Sequence, residues 1–433
     1  MKEKRFPDAT ASPAQKPDED LHGSSIKAAG VIAEFNPFHQ GHAFLMDEIR
    51  RRVGADYIIV VMSGDFVQRG APAILPKRLR AAMALAAGAD LVLELPVEVS
   101  TGSAEYFARG GVRLLDSLGV AEWLCFGVET CDPEGMRYLA DLLGNEPEAL
   151  SKEIAAGVKN GRPFPIARRN AIRSWLHAEG RDAEESAAFL MDTPNNLLGI
   201  EYMKAIRYYD SPIVPICIRR QGAGYHETGL TPSGLPSATA LRAKMETNPA
   251  LSELAGYLPE SACLVLSEFI QQGGCYISPS DFDTLLGYRL LCESEETLQS
   301  YFDVAPGLAN RIEKYKFDYR GFSSFAANLK SRELTLTRVQ RALLHILLGI
   351  ERPLEETCFA RVLGIGNRSG PLLHAIGQKA RIPLETRPKT PEQRKEFEKS
   401  CFASNLYQQI LCRKTHAGKM RHDYEIPLVK QRT

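Results

Sequence analysis

Gly30-Val31-Ile32-Ala33-Glu34-Phe35-Asn36-Pro37-Phe38-His39-Gln40-Gly41-His42-Ala43 is the stretch on which the reading of this chain turns. Ala29 to Phe35 is an apolar run that reads as a strand, and a helical pattern begins shortly after Pro37. A strand that feeds a helix N-terminus leaves free backbone N–H groups and a partial positive charge at the carboxyl edge of a sheet, which suits phosphate. His39 and His42, three residues apart, add donors for the same phosphate oxygens, and Gly41 lets the backbone approach without a Cβ. A zinc reading of the two histidines needs further ligands, which the neighbouring sequence does not supply.

Working outward, Tyr57 to Met62, Leu91 to Leu95 and Trp123 to Val128 repeat the short β-type run, each between segments of helical composition that include Lys77 to Ala87 and Ala104 to Leu118. Strands this apolar on both faces belong inside a doubly covered parallel sheet, so the expected fold class is α/β with a Rossmann-like domain. Pro133 to Tyr209 reads as largely helical, Ile213 to Ile218 as one more strand, and Ala238 to about Met245 as a helix with which the sheet domain is expected to close. Beyond 250 the strand signals fade and helical periodicity dominates Pro279 to Ser300 and Thr337 to Leu348, predicting a mainly helical C-terminal domain. The expected divisions are a disordered extension over 1–26, a sheet domain over 27–248 and a helical domain over 249–433.

A length of 433 residues supports such a division, at roughly 100 to 200 residues per domain. Lys+Arg and Asp+Glu both number 53, so any nucleic-acid surface must be a local patch. Such patches exist: between 301 and 350 eight basic residues oppose four acidic ones, and Arg162, Arg168, Arg169 and Arg173 cluster in the helical insert. No apolar run approaches the roughly 18 to 20 residues of a membrane span, and the first 26 residues are polar with no apolar core of a secretory signal, so a cytoplasmic location is expected. Nine cysteines without a C-x-x-C pair are expected to be reduced, mostly buried thiols.

His39-Gln40-Gly41-His42 matches the H-x-G-H motif of the class I aminoacyl-tRNA synthetase and nucleotidylyltransferase superfamily. Together with Met62-Ser63-Gly64-Asp65-Phe66-Val67-Gln68-Arg69-Gly70, Pro194-Asn195-Asn196-Leu197-Leu198-Gly199, Arg220-Gln221-Gly222-Ala223-Gly224-Tyr225-His226, Ser237-Ala238-Thr239-Ala240-Leu241-Arg242, Leu329-Lys330-Ser331 and Thr337-Arg338-Val339-Gln340-Arg341, in that order, it resembles the bacterial tRNA(Met) cytidine acetate ligase family. The resemblance implies a Rossmann-like nucleotidyltransferase catalytic domain over 27–248 and a tRNA-interacting helical domain over 249–433, in an ATP-dependent ligase that converts acetate to acetyl-adenylate, with Mg2+ beside the ATP, and then acetylates N4 of the wobble cytidine of elongator tRNA(Met). The chemistry is coherent. The exocyclic amine of cytosine is a poor nucleophile, free acetate is inert, and attack of the carboxylate on the α-phosphorus yields a mixed anhydride.

By the same resemblance, His39, His42 and Arg242 are the catalytic candidates. The nucleotide contacts expected are residues 30–43, Gly127, one of Asn195 and Asn196, Arg220, Ser237 and Thr239; the serine is equally suited to cap a helix. Asp65 stands where relatives often carry asparagine and is expected just outside the triphosphate zone. Lys77 and Arg80 open a helix and face either substrate or solvent. Lys330, Arg332, Arg338 and Arg341 are the nucleic-acid candidates, the last two on one helix face. Two alternatives share parts of this pattern: a small-molecule adenylyltransferase of coenzyme metabolism, and a non-catalytic tRNA-binding protein.

Overall fold

The computed structural model describes residues 26–180, 188–220, 237–247, 249–417 and 419–431. Residues 1–25, most of the expected extension, and Gln221 to His226 of the fourth motif lie outside the described residues.

The central sheet is built from β1 (Ala28–Ala33), β2 (Tyr57–Ser63), β5 (Leu91–Leu95), β6 (Ala121–Val128), β7 (Val214–Arg219), β8 (Ala360–Ile365), β9 (Leu384–Glu385) and β10 (Val429–Lys430). A separate two-stranded hairpin pairs β3 (Phe66–Val67) with β4 (Ala71–Pro72). The strand order is β10-β8-β5-β2-β1-β6-β7, with β9 on β8. β1 runs parallel to both β2 and β6, with Gly30 opposite Ile59 and Leu124. The chain therefore builds outward from β1 in both directions, and β1 and β6 flank the switch point at which open α/β sheets bind ligands.

Alternate residues of each strand enter different cores. Ile32, Ile59 and Val61 pack on the face covered by helices Ala104–Ser117, Pro133–Gly144 and Pro194–Tyr208. Val31, Ile58 and Val60 pack on the face covered by Gln40–Val53, Lys77–Ala86 and Glu260–Gln271. Each fully buried side chain of this kind contributes about 1.5–3 kcal/mol against exposure. Gly30 is a close-approach position, because a Cβ there would lie 2.5 Å from Leu115 Cδ1. A third core fills the helical part, gathering Phe282, Leu286, Phe325, Leu343 and Tyr407, with Phe66 of the hairpin inserted into it.

The sheet does not close near residue 245. β8, β9 and β10 return from the C-terminal part, and β8 pairs antiparallel with β5, Leu91 opposite Ile365. The otherwise helical second half thus completes the edge of the first domain's sheet. The reason this is hard to see in the sequence is Arg361, which sits in the strand yet is fully buried. Its guanidinium bonds Glu94 Oε2 at 3.0 Å and also Asp423, while Lys77 Nζ reaches Glu94 Oε1 at 2.7 Å, Asp423 Oδ1 at 3.0 Å and Ser404 Oγ at 2.6 Å. Charges this deep are tolerated because they are paired and hydrogen-bonded.

Lys77 accordingly faces neither substrate nor solvent, and the same is true of Arg80. Arg80 is fully buried and donates to Leu75 O at 3.0 Å, Glu34 O at 2.5 Å, Ser63 O at 3.2 Å and also to Gly64 O. It satisfies the carbonyls left over where β1 and β2 end, and so fixes the loop that follows β1. Asp65 is buried beside it, with Oδ1 accepting Lys77 N at 2.7 Å, and does not line the cavity described below.

The expectation that all cysteines are reduced also fails at one pair. Cys131 and Cys217 form a disulfide between the loop after β6 and the adjacent strand β7, while the other seven are free. Their 86-residue separation hides the pairing from sequence.

Candidate active site

Beyond the carboxyl ends of β1, β6 and β7 opens a cavity of about 700 Å3. His39 is the N-cap of helix Gln40–Val53, and its Nδ1 accepts Gly41 N at 3.0 Å. His42 Nδ1 accepts His39 N at 3.2 Å, so the two imidazoles close a capping box. The rings stack with centroids 3.8 Å apart, and Phe35 meets His42 edge-on at 4.8 Å. A Cβ on Gly41 would sit 2.9 Å from His39 Cε1, which makes glycine a requirement of this packing.

Because both Nδ1 atoms accept backbone N–H groups, the proton of each neutral ring is on Nε2. Burial, followed by the positive charges of Arg220 and Arg242, pushes His39 down to about 3. Burial, then His39 and Arg220, hold His42 well below the usual histidine range. Both rings are therefore neutral Nε2–H donors at pH 7, whereas the backbone N–H groups expected to be free at this helix start are occupied, Gln40 N by Tyr257 O, Gly41 N by His39 Nδ1 and His42 N by His39 O at 2.8 Å.

Of residues 30–43, Val31 to Asn36, His39, Gly41 and His42 line the cavity. Gly30, Pro37, Phe38, Gln40 and Ala43 do not. Phe38 is core, and Gln40 turns away to Tyr257 and Leu258, its N donating to Tyr257 O at 3.0 Å and its Nε2 to Leu258 O at 3.2 Å. Gly127 and Arg220 lie together: Arg220 N donates to Val128 O at 2.8 Å, and a Cβ on Gly127 would stand 3.2 Å from Arg220 Cγ.

The asparagine pair separates cleanly. Asn196 is fully buried, with Oδ1 accepting Glu129 N, Thr130 N and Thr193 Oγ1 at 2.9, 3.1 and 2.9 Å, and Nδ2 donating to Thr130 O at 2.6 Å. It ties the loop after β6 to helix Pro194–Tyr208 and does not line the cavity. Asn195 does line it, held by its Nδ2 donating to Glu129 Oε1 at 2.5 Å. Glu129 is a site residue that sequence reasoning missed; its place directly after a strand at the switch point was the available signal.

Ser237 caps helix Ala238–Glu246, its Oγ accepting Ala240 N at 3.1 Å, and Ser237 and Thr239 both line the cavity. Arg242 is one turn further on, in an adjoining cavity of about 230 Å3. It donates to Asn36 O at 2.8 Å and Thr239 Oγ1 at 3.1 Å, bracing the histidine loop against this helix. Asn36, Arg69 and Gln340 line both cavities.

The nucleic-acid candidates divide as well. Lys330 is exposed, Arg332 is exposed, and Arg338 lies near the start of helix Leu336–Leu348. Arg341 is instead spent internally, its Nε donating to Asp303 Oδ2 at 2.9 Å with both side chains largely buried. In the second basic cluster Arg169 pairs with Asp192 and, with Arg173, lies over Phe189.

A nucleotide-sized cavity at the switch point, entered by a helix capped with two neutral histidines, defines a nucleotidyltransferase-type site. The family model for the HIGH nucleotidyl transferases matches residues 26–423, and the chain belongs to that family. Within it, the tRNA(Met) cytidine acetate ligase of Acetivibrio thermocellus is 33% identical over 90% of this chain and 96% of its own length. The enzyme of the same name from Caldanaerobacter subterraneus subsp. tengcongensis is 36% identical over 88% and 95%. The chain is thus a member of the tRNA(Met) cytidine acetate ligase family. The crystal structure of Thermotoga maritima TmcAL bound with α-thio ATP superposes with a TM-score of 0.84 at 27% identity, covering 94% of this chain and all of that one, and the apo form gives 0.87 at 28%.

Proposed function

We propose that this chain is itself a tRNA(Met) cytidine acetate ligase: it activates acetate as acetyl-adenylate with ATP and transfers the acetyl group to N4 of the wobble cytidine of elongator tRNA(Met). The observation that carries the reading is the pair of neutral Nε2–H donors, His39 and His42, at a helix N-terminus facing a cavity large enough for ATP, in a member of that family.

In the first step an acetate oxygen attacks the α-phosphorus and pyrophosphate departs with the P–O bond electrons. The Nε2–H groups of His39 and His42, with the partial positive charge of the helix start behind them, meet the charge that develops on the phosphate oxygens. Ser237 and Thr239 approach the chain of phosphates from the opposite helix, and Arg242 keeps the two helix starts in register through Asn36 and Thr239. In the second step N4 of cytidine attacks the acetyl carbon, AMP leaves with the anhydride electrons, and the proton lost by the amine passes to solvent. No covalent enzyme intermediate is needed, and no acid or base with a pKa near 7 is required of the histidines.

Among the described residues no group of three or more His, Cys, Asp or Glu side chains comes together around a metal position. Glu34 and Glu129 are the carboxylates that line the large cavity. Mg2+ fits this site as a hydrated companion of the ATP phosphates, as is usual for that ion, and when bound it supplies neutralisation of the departing pyrophosphate. The part of the chain over 27–248 supplies the adenylation site, and that over 249–433 presents tRNA through Lys330, Arg332 and Arg338. A cytoplasmic location belongs to the same reading, since that is where the tRNA substrate is. No helix among the described residues is long and apolar enough to cross a membrane.

The test is acetate-dependent exchange of pyrophosphate into ATP, followed by mass analysis of tRNA nucleosides. Exchange with acetate and N4-acetylcytidine in elongator tRNA(Met) support the reading; exchange with another acceptor and no modified tRNA refute it.

A further inference from the structure

The large cavity has two chemically different walls. One is built for anions, with His39, His42, Arg219, Arg220 and the helix start at Ser237. The other carries Gln68, Thr337 and Gln340, contributed by the β3–β4 hairpin and by helix Leu336–Leu348, beside Arg69, whose guanidinium donates to Thr239 Oγ1 at 3.3 Å. The two amides and the threonine hydroxyl are neutral. They hydrogen-bond but cannot offset phosphate charge, and an amide offers a donor and an acceptor side by side.

The wall is fixed in place. Gly70, at φ +75, packs directly on the backbone of Gln340 and Arg341, and a Cβ there would lie 2.5 Å from Gln340 C. Val339 is in the core, and Arg341 is anchored to Asp303. Gln68 N donates to Glu34 Oε1 at 3.0 Å. Within this rigid frame the side-chain amides of Gln68 and Gln340 make no hydrogen bond to any described residue, while Gln340 stands where the large cavity meets the small one. Behind it, Pro72, Ile74 and Ile277 give the small cavity apolar surfaces.

Resting on the function proposed above, we infer that this amide wall receives the acceptor nucleobase, and that Gln340 reads the edge of the cytosine through its amide. Cytosine presents the N4 donor next to the N3 acceptor, the complement of a carboxamide, in the way that glutamine pairs with the adjacent donor and acceptor of adenine. One N4 hydrogen bonds the amide oxygen, which leaves the π face of N4 open toward the acyl group. The approach is continuous with the proposed tRNA grip, because the helix that carries Thr337 and Gln340 begins beside Lys330, Arg332 and Arg338. The apolar surfaces of Pro72, Ile74 and Ile277 suit the faces of a pyrimidine ring splayed out of an anticodon loop.

The test compares Gln340→Ala and Gln68→Ala with the unaltered full chain in two assays: acetate-dependent pyrophosphate exchange, and acetyl transfer to an elongator tRNA(Met) transcript. A well-placed amide pair is worth about 1–3 kcal/mol of discrimination, so transfer kcat/KM should fall about 5- to 150-fold for Gln340→Ala, with a smaller fall for Gln68→Ala. The KM for ATP and for acetate in exchange should stay within about twofold. Exchange also reports that the variants are folded. Transfer that keeps pace with exchange in Gln340→Ala overturns the inference. A rise in the KM for ATP or acetate that accounts for the whole loss also overturns it, by moving the amide to the adenine or the acyl donor. If the unaltered chain shows no acetate-dependent exchange, the underlying reading of the function fails instead.

Discussion

His42 Nδ1 accepts the backbone N–H of His39 at 3.2 Å, and through that bond the second histidine of the motif fixes both its own tautomer and the turn from which the first projects. The motif is therefore a piece of helix-capping architecture before it is a catalytic one. The same bonds that start the helix leave two Nε2–H groups for a ligand.

Replacing either histidine by alanine removes one preorganised donor and one cap bond. Acetyl-adenylate formation should fall about 10²- to 10³-fold, and the cap loss should lower stability by about 1 kcal/mol. The check is exchange rate beside thermal melting; a rate within a few-fold of the unaltered chain would remove the histidine from the chemistry.

The pH dependence follows from the depressed histidines. His39 and His42 bind protons in the unfolded chain from about pH 6.5 downward but resist them when folded, His39 until about 3. The unfolded state thus binds more protons as pH falls, and their contribution to stability is complete above pH 6.5 and is lost below it. Each histidine should cost on the order of 1.4 kcal/mol per pH unit in that window. Melting between pH 7 and 5 should show a steep loss that is flatter in the His39→Ala, His42→Ala double variant; parallel curves would contradict the assignment. Exchange should show no acid limb from these rings between about pH 6 and 8.

Asn195 and Asn196 should separate by assay. Asn195→Ala should raise the KM for ATP several-fold with little effect on melting. Asn196→Ala leaves Glu129 N, Thr130 N and Thr130 O without their partner, and should cost about 2–3 kcal/mol of stability. Equal melting temperatures for the two variants would contradict the division of labour.

For tRNA, neutralising Lys330, Arg332 and Arg338 together should weaken binding and flatten its salt dependence, by about 0.7 to 0.9 in slope for each phosphate no longer neutralised. Arg341→Ala should act differently. It strands Asp303 in a largely buried position and should lower stability by about 3 kcal/mol, leaving the salt slope of the folded protein unchanged. Filter binding across a salt titration reads both.

Much of this was visible in the residues. Strands β1, β2, β5, β6 and β7 announce themselves because each is an apolar run between helical segments, and His39-Gln40-Gly41-His42 announces its chemistry because a strand, a turn and a helix start fall around it. What stayed hidden depends on partners distant in sequence. β8 is obscured by Arg361, which is buried because Glu94 and Asp423 meet it from 267 and 62 residues away. Arg341 resembles Arg338 until Asp303 is placed beside it. Either of two adjacent asparagines fits the site until Thr130 and Thr193 claim one. Lys77 and Arg80 read as a basic surface, yet they complete the buried ends of the sheet.

The most direct test is to incubate the chain with ATP, Mg2+, isotopically labelled acetate and an elongator tRNA(Met) transcript, and to weigh the nucleosides of the recovered tRNA. The account predicts labelled N4-acetylcytidine at the wobble position, formed only when ATP and acetate are both present and lost in the His39→Ala, His42→Ala double variant. Unmodified cytidine with the unaltered chain, or label appearing without ATP, would contradict it.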